Sequence, residues 1–221
     1  MTTKKNYPIG TPGTPWGDSE KQQWLEAQVT HRSYATDVVC VIDTLRSTHR
    51  DVIQVEQYGE LDYSNSPTGN TYALFALRSI EWNSERPTIL VTGGVHGYET
   101  SGVHGALRFA QEELRNYATS FNMIVAPCIS PWGYETINRW NPSSVDPNRS
   151  FYSDNPSPES EAIMTYAKSL NISFLAHIDL HETTDTDNSE FRPALEARNA
   201  VEQTEWQIPD GFYGVGDTLK P

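Results

Sequence analysis

The residues best suited to chemistry in this 221-residue chain sit where apolar runs end. His96-Gly97-Tyr98-Glu99 follows PTILVTGG (87–94), a run that reads as a strand covered on both faces. In an open α/β sheet, ligand sites lie beyond the carboxyl ends of strands. Across a strand-to-helix junction, an imidazole and a carboxylate three residues apart can converge on one cation at about 2.0–2.2 Å. Gly93, Gly94 and Gly97 permit a tight turn and close packing there. The same spacing also suits a surface histidine beside a first-turn glutamate favoured by the helix dipole. His181 closes a second strand-like run, SFLAHIDL (173–180). A short-spaced pair plus one distant residue, His/Glu/His, is the ligand set of a catalytic zinc site whose fourth position is open to water. His177, Asp179 and His181 share one strand face. Only the strand end reaches the site, so His177 reads as structural. Asp179 reads either as a carboxylate behind a ligand or as a hydrogen-bonded polar group. His31 and His49 carry no signal, and His104, over a turn into a helix, reads as structural.

The elements that must position these residues alternate along the chain. Residues 52–58, 71–80, 87–94, 121–128 and 173–180 read as strands. Residues 99–117 carry Val103, Leu107, Ala110 and Leu114 at helical spacing, and Ser157-Pro158 opens a helix to 170. A further helix follows Asp18-Ser19-Glu20, with Trp24, Leu25 and Val29 near helical spacing. Residues 129–157 are loop-like. This order predicts an α/β fold: a three-layer sandwich with a central mixed, mostly parallel sheet. We expect one domain over 1–221, with an irregular arm at 1–17 and an acidic, irregular tail at 183–221. Residues 179–221 hold ten acidic and three basic side chains. Glu182, Asp185 and Asp187 read as a solvated loop or as a weak second cation site.

The loop INRWNPSSVDPNRSF (137–151) places Arg139, Asn148 and Arg149 together in an acidic protein. Arginine suits bidentate recognition of a carboxylate. Taken alone, Asn148 also reads as a turn residue and Arg149 as a solvated charge. The order HGYE, then R-x-N-x(4)-D-x-N-R-x-F, then D-L-H at a strand end resembles the zinc carboxypeptidase (M14) family over about residues 68–182. HGYE and IDLHET also resemble its aspartoacylase and succinylglutamate desuccinylase branch, which cleaves N-acyl amino acids. The resemblance implies one zinc ion held by His96, Glu99 and His181. It implies that Asn148 and Arg149 hold the substrate's free carboxylate and that Arg139 polarises the scissile carbonyl and stabilises its oxyanion. Asp146 matches the carboxylate that fixes the first zinc histidine. The implied substrate is a peptide or an N-acyl amino acid.

The family's general base is a glutamate on a strand well beyond the last zinc ligand. Here 40 residues follow His181, and Glu182, Glu190, Glu196, Glu202 and Glu205 lie outside any segment that reads as that strand. The base is therefore unassigned. Three readings stay open: a shortened chain, possession of a base recruited from the tail, or a metal-binding protein that recognises carboxylates without turnover. A shortened sheet would expose an edge or apolar face.

Composition narrows the partners. A net charge of −13 and a pI near 4.8 leave no basic run for nucleic acid or an anionic membrane. No run of about 18 apolar residues predicts a membrane span, and the N-terminus lacks a secretory pattern. A cytoplasmic location is the expectation. Cys40 and Cys128, inside VVCVI and MIVAPC, read as small buried hydrophobes.

Overall fold

The computed structural model describes residues 7–204, 206–208 and 211–216. The chain divides into a larger unit, residues 17–182, and a smaller one formed by its two ends. In the larger unit the elements run α1 (Asp18–Glu26), a π-helical turn (Ala35–Val39), α2 (Cys40–Thr48), β1 (Ile53–Asp62), β2 (Thr71–Ser79), β3 (Thr88–Gly93), α3 (Thr100–Glu112), α4 (Leu114–Tyr117), β4 (Asn122–Ala126), α5 (Pro131–Thr136), a 3₁₀ turn (Pro147–Arg149), α6 (Pro158–Ser169) and β5 (Phe174–Leu180).

Among the described residues, five strands form one sheet in the order β1-β2-β4-β3-β5. The sheet is mixed. β1–β2 and β2–β4 pair antiparallel, while β3 pairs parallel with both β4 and β5. Parallel pairing is thus confined to the three strands nearest the chemistry. Leu90, Ile124 and Ala126 pack with Ile163 and Tyr166 of α6 on one face. Side chains alternate along a strand, so Val91, Met123 and Val125, also buried, face the other side, and α3 packs on β3, β4 and β5. Both faces are covered, which is why these strands read as continuous apolar runs. β5 forms one edge and leaves Leu175 63% and Ile178 47% exposed.

Three local expectations need correction. Helix α1 ends at Glu26, and Val29 is exposed, because the chain turns aside to donate the His31 and Arg32 N–H groups to the Glu135 carbonyl. VVCVI belongs to the π turn and α2. Helical spacing buries Val38, Ile42 and Leu45 and leaves Cys40 exposed, while Cys128 is buried as expected. The loop at 129–157 contains α5, which starts at Pro131 in the first helical position.

In the smaller unit, residues expected to be irregular form a π turn (Asp187–Phe191) running into α7 (Arg192–Asn199). Pro193 sits in the first turn of α7, just after the π turn. The Arg192 guanidinium lies 4.0 Å from the Trp206 ring and donates to the Thr204 carbonyl, and Trp16 N–H donates to the Arg198 carbonyl. The Asp187 carboxylate accepts from Thr184 N–H and closes its own turn.

Helix α3 can approach β5 only where it lacks side chains. A Cβ added at Gly102 would collide with the Leu180 carbonyl, whereas one at Gly105 would meet only the Leu180 methyl at 3.7 Å. Overpacking costs about 1–3 kcal/mol or more, and each kcal/mol moves the melting temperature of a chain this size by about 2–4 °C. Gly102→Ala should therefore lower the melting temperature by at least about 2 °C. Gly105→Ala should leave it unchanged or raise it slightly, since alanine is favoured over glycine in a helix by about 0.5–1 kcal/mol. Thermal denaturation of both variants checks the pair.

Candidate metal centre

The carboxyl ends of β3 and β5 lie side by side, with Thr92 opposite Asp179 and Gly93 opposite Leu180. His96 and Glu99 leave the first end and His181 leaves the second. Gly94 takes the turn with φ +61°, and Gly97 lets the loop lie against the backbone of Gly133 and Tyr134, where any Cβ would collide. The structure brings His96, Glu99 and His181 together, with one ligand atom from each lying within 4.8 Å of the others. Among the described residues no other group of three such side chains comes within that reach.

The geometry centres on the Glu99 carboxylate, which is 2% exposed. His96 Nδ1 lies 2.8 Å from Oε1, and His181 Nδ1 lies 3.0 Å from Oε1 and 2.8 Å from Oε2. Both histidines thus present the same nitrogen to one acid. Oε2 is buried yet accepts no hydrogen bond, because the nearby His181 nitrogen is directed at Oε1. Two nitrogens and a carboxylate with an oxygen left over form a donor set that fits a divalent zinc ion.

Each imidazole is also gripped from behind. His96 Nε2 lies 3.0 Å from Asp146 Oδ1, and His181 Nε2 lies 2.6 Å from Asp179 Oδ2. Asp179 also accepts from the Thr92 hydroxyl. Such outer carboxylates fix the tautomer and orientation of a ligand histidine. Burial alone would push these carboxyls up. The histidines beside Glu99 and Asp179, and His96 with Arg139 beside Asp146, outweigh it and hold all three below the usual range. Burial works against a charged His181 in the same way, but its bonds to Asp179 and Glu99 win and push it up to about 10.

The remaining residues singled out from the sequence fall around this cluster. Arg139 Nε donates to Asp146 Oδ2 at 3.0 Å and its guanidinium reaches the Tyr98 hydroxyl at 3.5 Å. The Tyr98 ring stacks on His96 at 5.9 Å. Asn148 N–H donates to Asp146 Oδ1, so one carboxylate ties His96, Arg139 and the 3₁₀ turn together. Arg149 is exposed and donates to the Asn148 carbonyl. Among the described residues, neither the Asn148 nor the Arg149 side chain hydrogen-bonds the three-residue cluster. His177 lies 2.8 Å from the Thr92 hydroxyl, away from the ligand set, and His104 meets the Tyr134 hydroxyl at 3.3 Å. Glu182 turns away from His181 and accepts from Ser101 N–H at 2.9 Å, at the positive end of α3.

Sequence reasoning missed two features. One is Tyr98 as a ring against His96. The other is Arg32, which bonds the loop between the two ligands. Arg32 leaves no signal in spacing, since it depends on segments that meet only in the fold; Tyr98 stands inside the HGYE motif, two residues from the ring it stacks on.

Comparison with known proteins bears on the fold and the family. No curated protein matches the chain in sequence. Solved structures match it in fold. A provisionally named metallopeptidase from Shewanella amazonensis superposes with a TM-score of 0.51 at 23% identity, over 66% of this chain and 57% of that one. Bovine thrombin-activatable fibrinolysis inhibitor, in complex with tick carboxypeptidase inhibitor, gives 0.51 at 14%, over 73% and 62%. A metallo-carboxypeptidase from Burkholderia cenocepacia gives 0.51 at 16%, over 76% and 42%. The chain spans about half to three fifths of the length of the first Shewanella structures it matches. No described helix is long and apolar enough to cross a membrane. Residues 22–199, most of the chain, match the family model for zinc carboxypeptidase, and the chain belongs to that family, peptidase M14.

Proposed function

We propose that the chain binds one zinc ion through His96, Glu99 and His181 and hydrolyses an amide bond next to a free carboxylate, in a peptide or an N-acyl amino acid. The observation that carries this reading is the Glu99 carboxylate buried between two imidazoles whose far nitrogens are each held by an aspartate. His96, Glu99 and His181 would hold the zinc ion, which would supply Lewis acidity toward the scissile carbonyl and toward water. Arg139 stands ready to stabilise the carbonyl oxygen as it gains charge, the electrostatic contribution that dominates most hydrolases. Asp146 keeps Arg139 and His96 in one orientation, so the oxyanion donor and the first ligand are positioned by the same group. Arg149, exposed and close behind Asp146 in sequence, is free to meet a substrate carboxylate, with Asn148 beside it.

A second reading, a zinc site without turnover, draws on one observation. The acids nearest the ligands are already engaged: Asp146 with His96, Asp179 with His181, and Glu182 with Ser101 N–H. A general base needs a carboxylate about one water from the reacting proton, and the identity of that base is part of what the assay decides. Elemental analysis of the wild type should give about one zinc per chain, and His96→Ala should lose it; no stoichiometric zinc in the wild type ends the metal reading. Turnover of a peptide panel and an N-acyl amino acid panel then separates peptidase from deacylase. Bound zinc with no product from either panel favours the second reading.

Two substitutions test the supporting roles. Asp179→Asn should weaken zinc binding by about 10–100-fold, the usual effect of losing a carboxylate behind a metal histidine. An unchanged affinity would reduce Asp179 to a packing role. Arg149→Ala should raise KM for substrates with a free carboxylate and leave amidated analogues unaffected. Equal effects on both would remove Arg149 from the binding site.

A further inference from the structure

We propose that Arg32 is a positioning residue for the metal centre: its guanidinium clasps two of the three peptide units between His96 and Glu99 and sets the angle at which those ligands converge. The inference rests on the zinc reading above. The NH2 group of Arg32 donates to the Gly97 carbonyl at 3.0 Å and lies 3.3 Å from the Tyr98 carbonyl. NH1 donates to the Thr100 hydroxyl at 2.5 Å, at the start of α3, and Nε donates to the Tyr134 carbonyl at 2.6 Å. The plane of the group lies over the Tyr134 ring, 4.0 Å from its centre.

Three features separate this from an ordinary surface arginine. First, all its partners are carbonyl or hydroxyl oxygens and none is a carboxylate. The charge is spent on the backbone of the ligand loop. Second, Gly97 and Tyr98 alone separate His96 from Glu99, so two of the three peptide planes between them are held by one planar fork, while the carbonyl of the third, that of His96, accepts from Glu99 N–H. A guanidinium is rigid and delivers several donors in a fixed geometry, which a lysine ammonium does not. Third, the base of the clasp is itself fixed. His31 N–H and Arg32 N–H donate to the Glu135 carbonyl, and Tyr34 N–H donates to the Glu135 carboxylate. The opposite side of the loop is held by Tyr98 N–H on the Asn138 carbonyl. The loop is thus gripped from two sides that do not depend on the ion. Ligands need to be held within a few tenths of an ångström, which calls for such a supporting shell.

Zinc affinity by competition with a chromogenic chelator, and the visible absorption of the cobalt-substituted full chain, test the clasp. Arg32→Gln should weaken zinc binding about 10-fold or more and shift the cobalt band, with Arg32→Lys intermediate. A purely structural role predicts something else: a lower melting temperature with wild-type affinity and an unchanged cobalt spectrum. That outcome overturns the inference. Should Arg32→Gln not fold, Arg32→Lys decides alone. A weaker affinity and shifted band support the clasp, and wild-type values overturn it. A wild-type chain that takes up no stoichiometric zinc overturns the zinc reading and this inference together. A wild type and an Arg32→Gln that load equally tightly overturn this inference only.

Discussion

A carboxylate buried to 2% exposure has to be compensated, and the way Glu99 is compensated organises the larger unit of this protein. An isolated ionised acid in such a place carries a large desolvation penalty. Two imidazoles, one from each of two neighbouring strand ends, face it within hydrogen-bond distance. Each of them is held in turn by an acid of its own, His96 by Asp146 and His181 by Asp179. The chain of dependence runs outward from there. Asp146 requires the 137–151 loop to fold back over His96, and Asp179 requires β5 to pair in register with β3. Removing any one partner would leave a buried charge exposed to the full penalty.

Backbone packing enforces the same geometry. The ligand loop lies on the backbone of α5 at Gly97, and α3 lies on the end of β5 at Gly102. These contacts are backbone to backbone, so they leave little slack for the ligand atoms to drift. Glu182, one residue beyond the last ligand, adds to this by accepting from Ser101 N–H and tying the end of β5 to the start of α3. The apparent waste of an acid beside the centre is therefore a structural use of it.

Much of this was legible in the sequence, for a physical reason. Strands buried on both faces show as apolar runs, and ligands placed at their carboxyl ends are marked by where those runs stop. His96, Glu99 and His181 stand just beyond such ends, which made them candidates, and the resemblance to the family singled them out as a set. Asp179 could be placed on the correct strand face but not given a partner. What escaped was set by packing between distant segments. VVCVI is apolar enough to suggest burial of Cys40, yet the helical period turns that residue outward while burying Val38, Ile42 and Leu45. A short apolar run does not distinguish the two periods. Arg32 lies between helices in a polar stretch and acquires its meaning only when that stretch meets the ligand loop. The helix at 192–199 escaped because it is short and polar on average, and its buried residues, Phe191 just before it and Ala194 within it, are too few to mark a face over two turns.

The central claim is that two imidazoles and a buried carboxylate form one zinc site rather than a self-contained ion-pair network. Anomalous diffraction at the zinc edge from crystals of the full chain tests it most directly. The account predicts a single peak bonded to His96 Nδ1, His181 Nδ1 and a Glu99 oxygen at about 2.0–2.2 Å. Crystals grown with zinc that show no peak among these three residues, or that place the ion elsewhere, would contradict it.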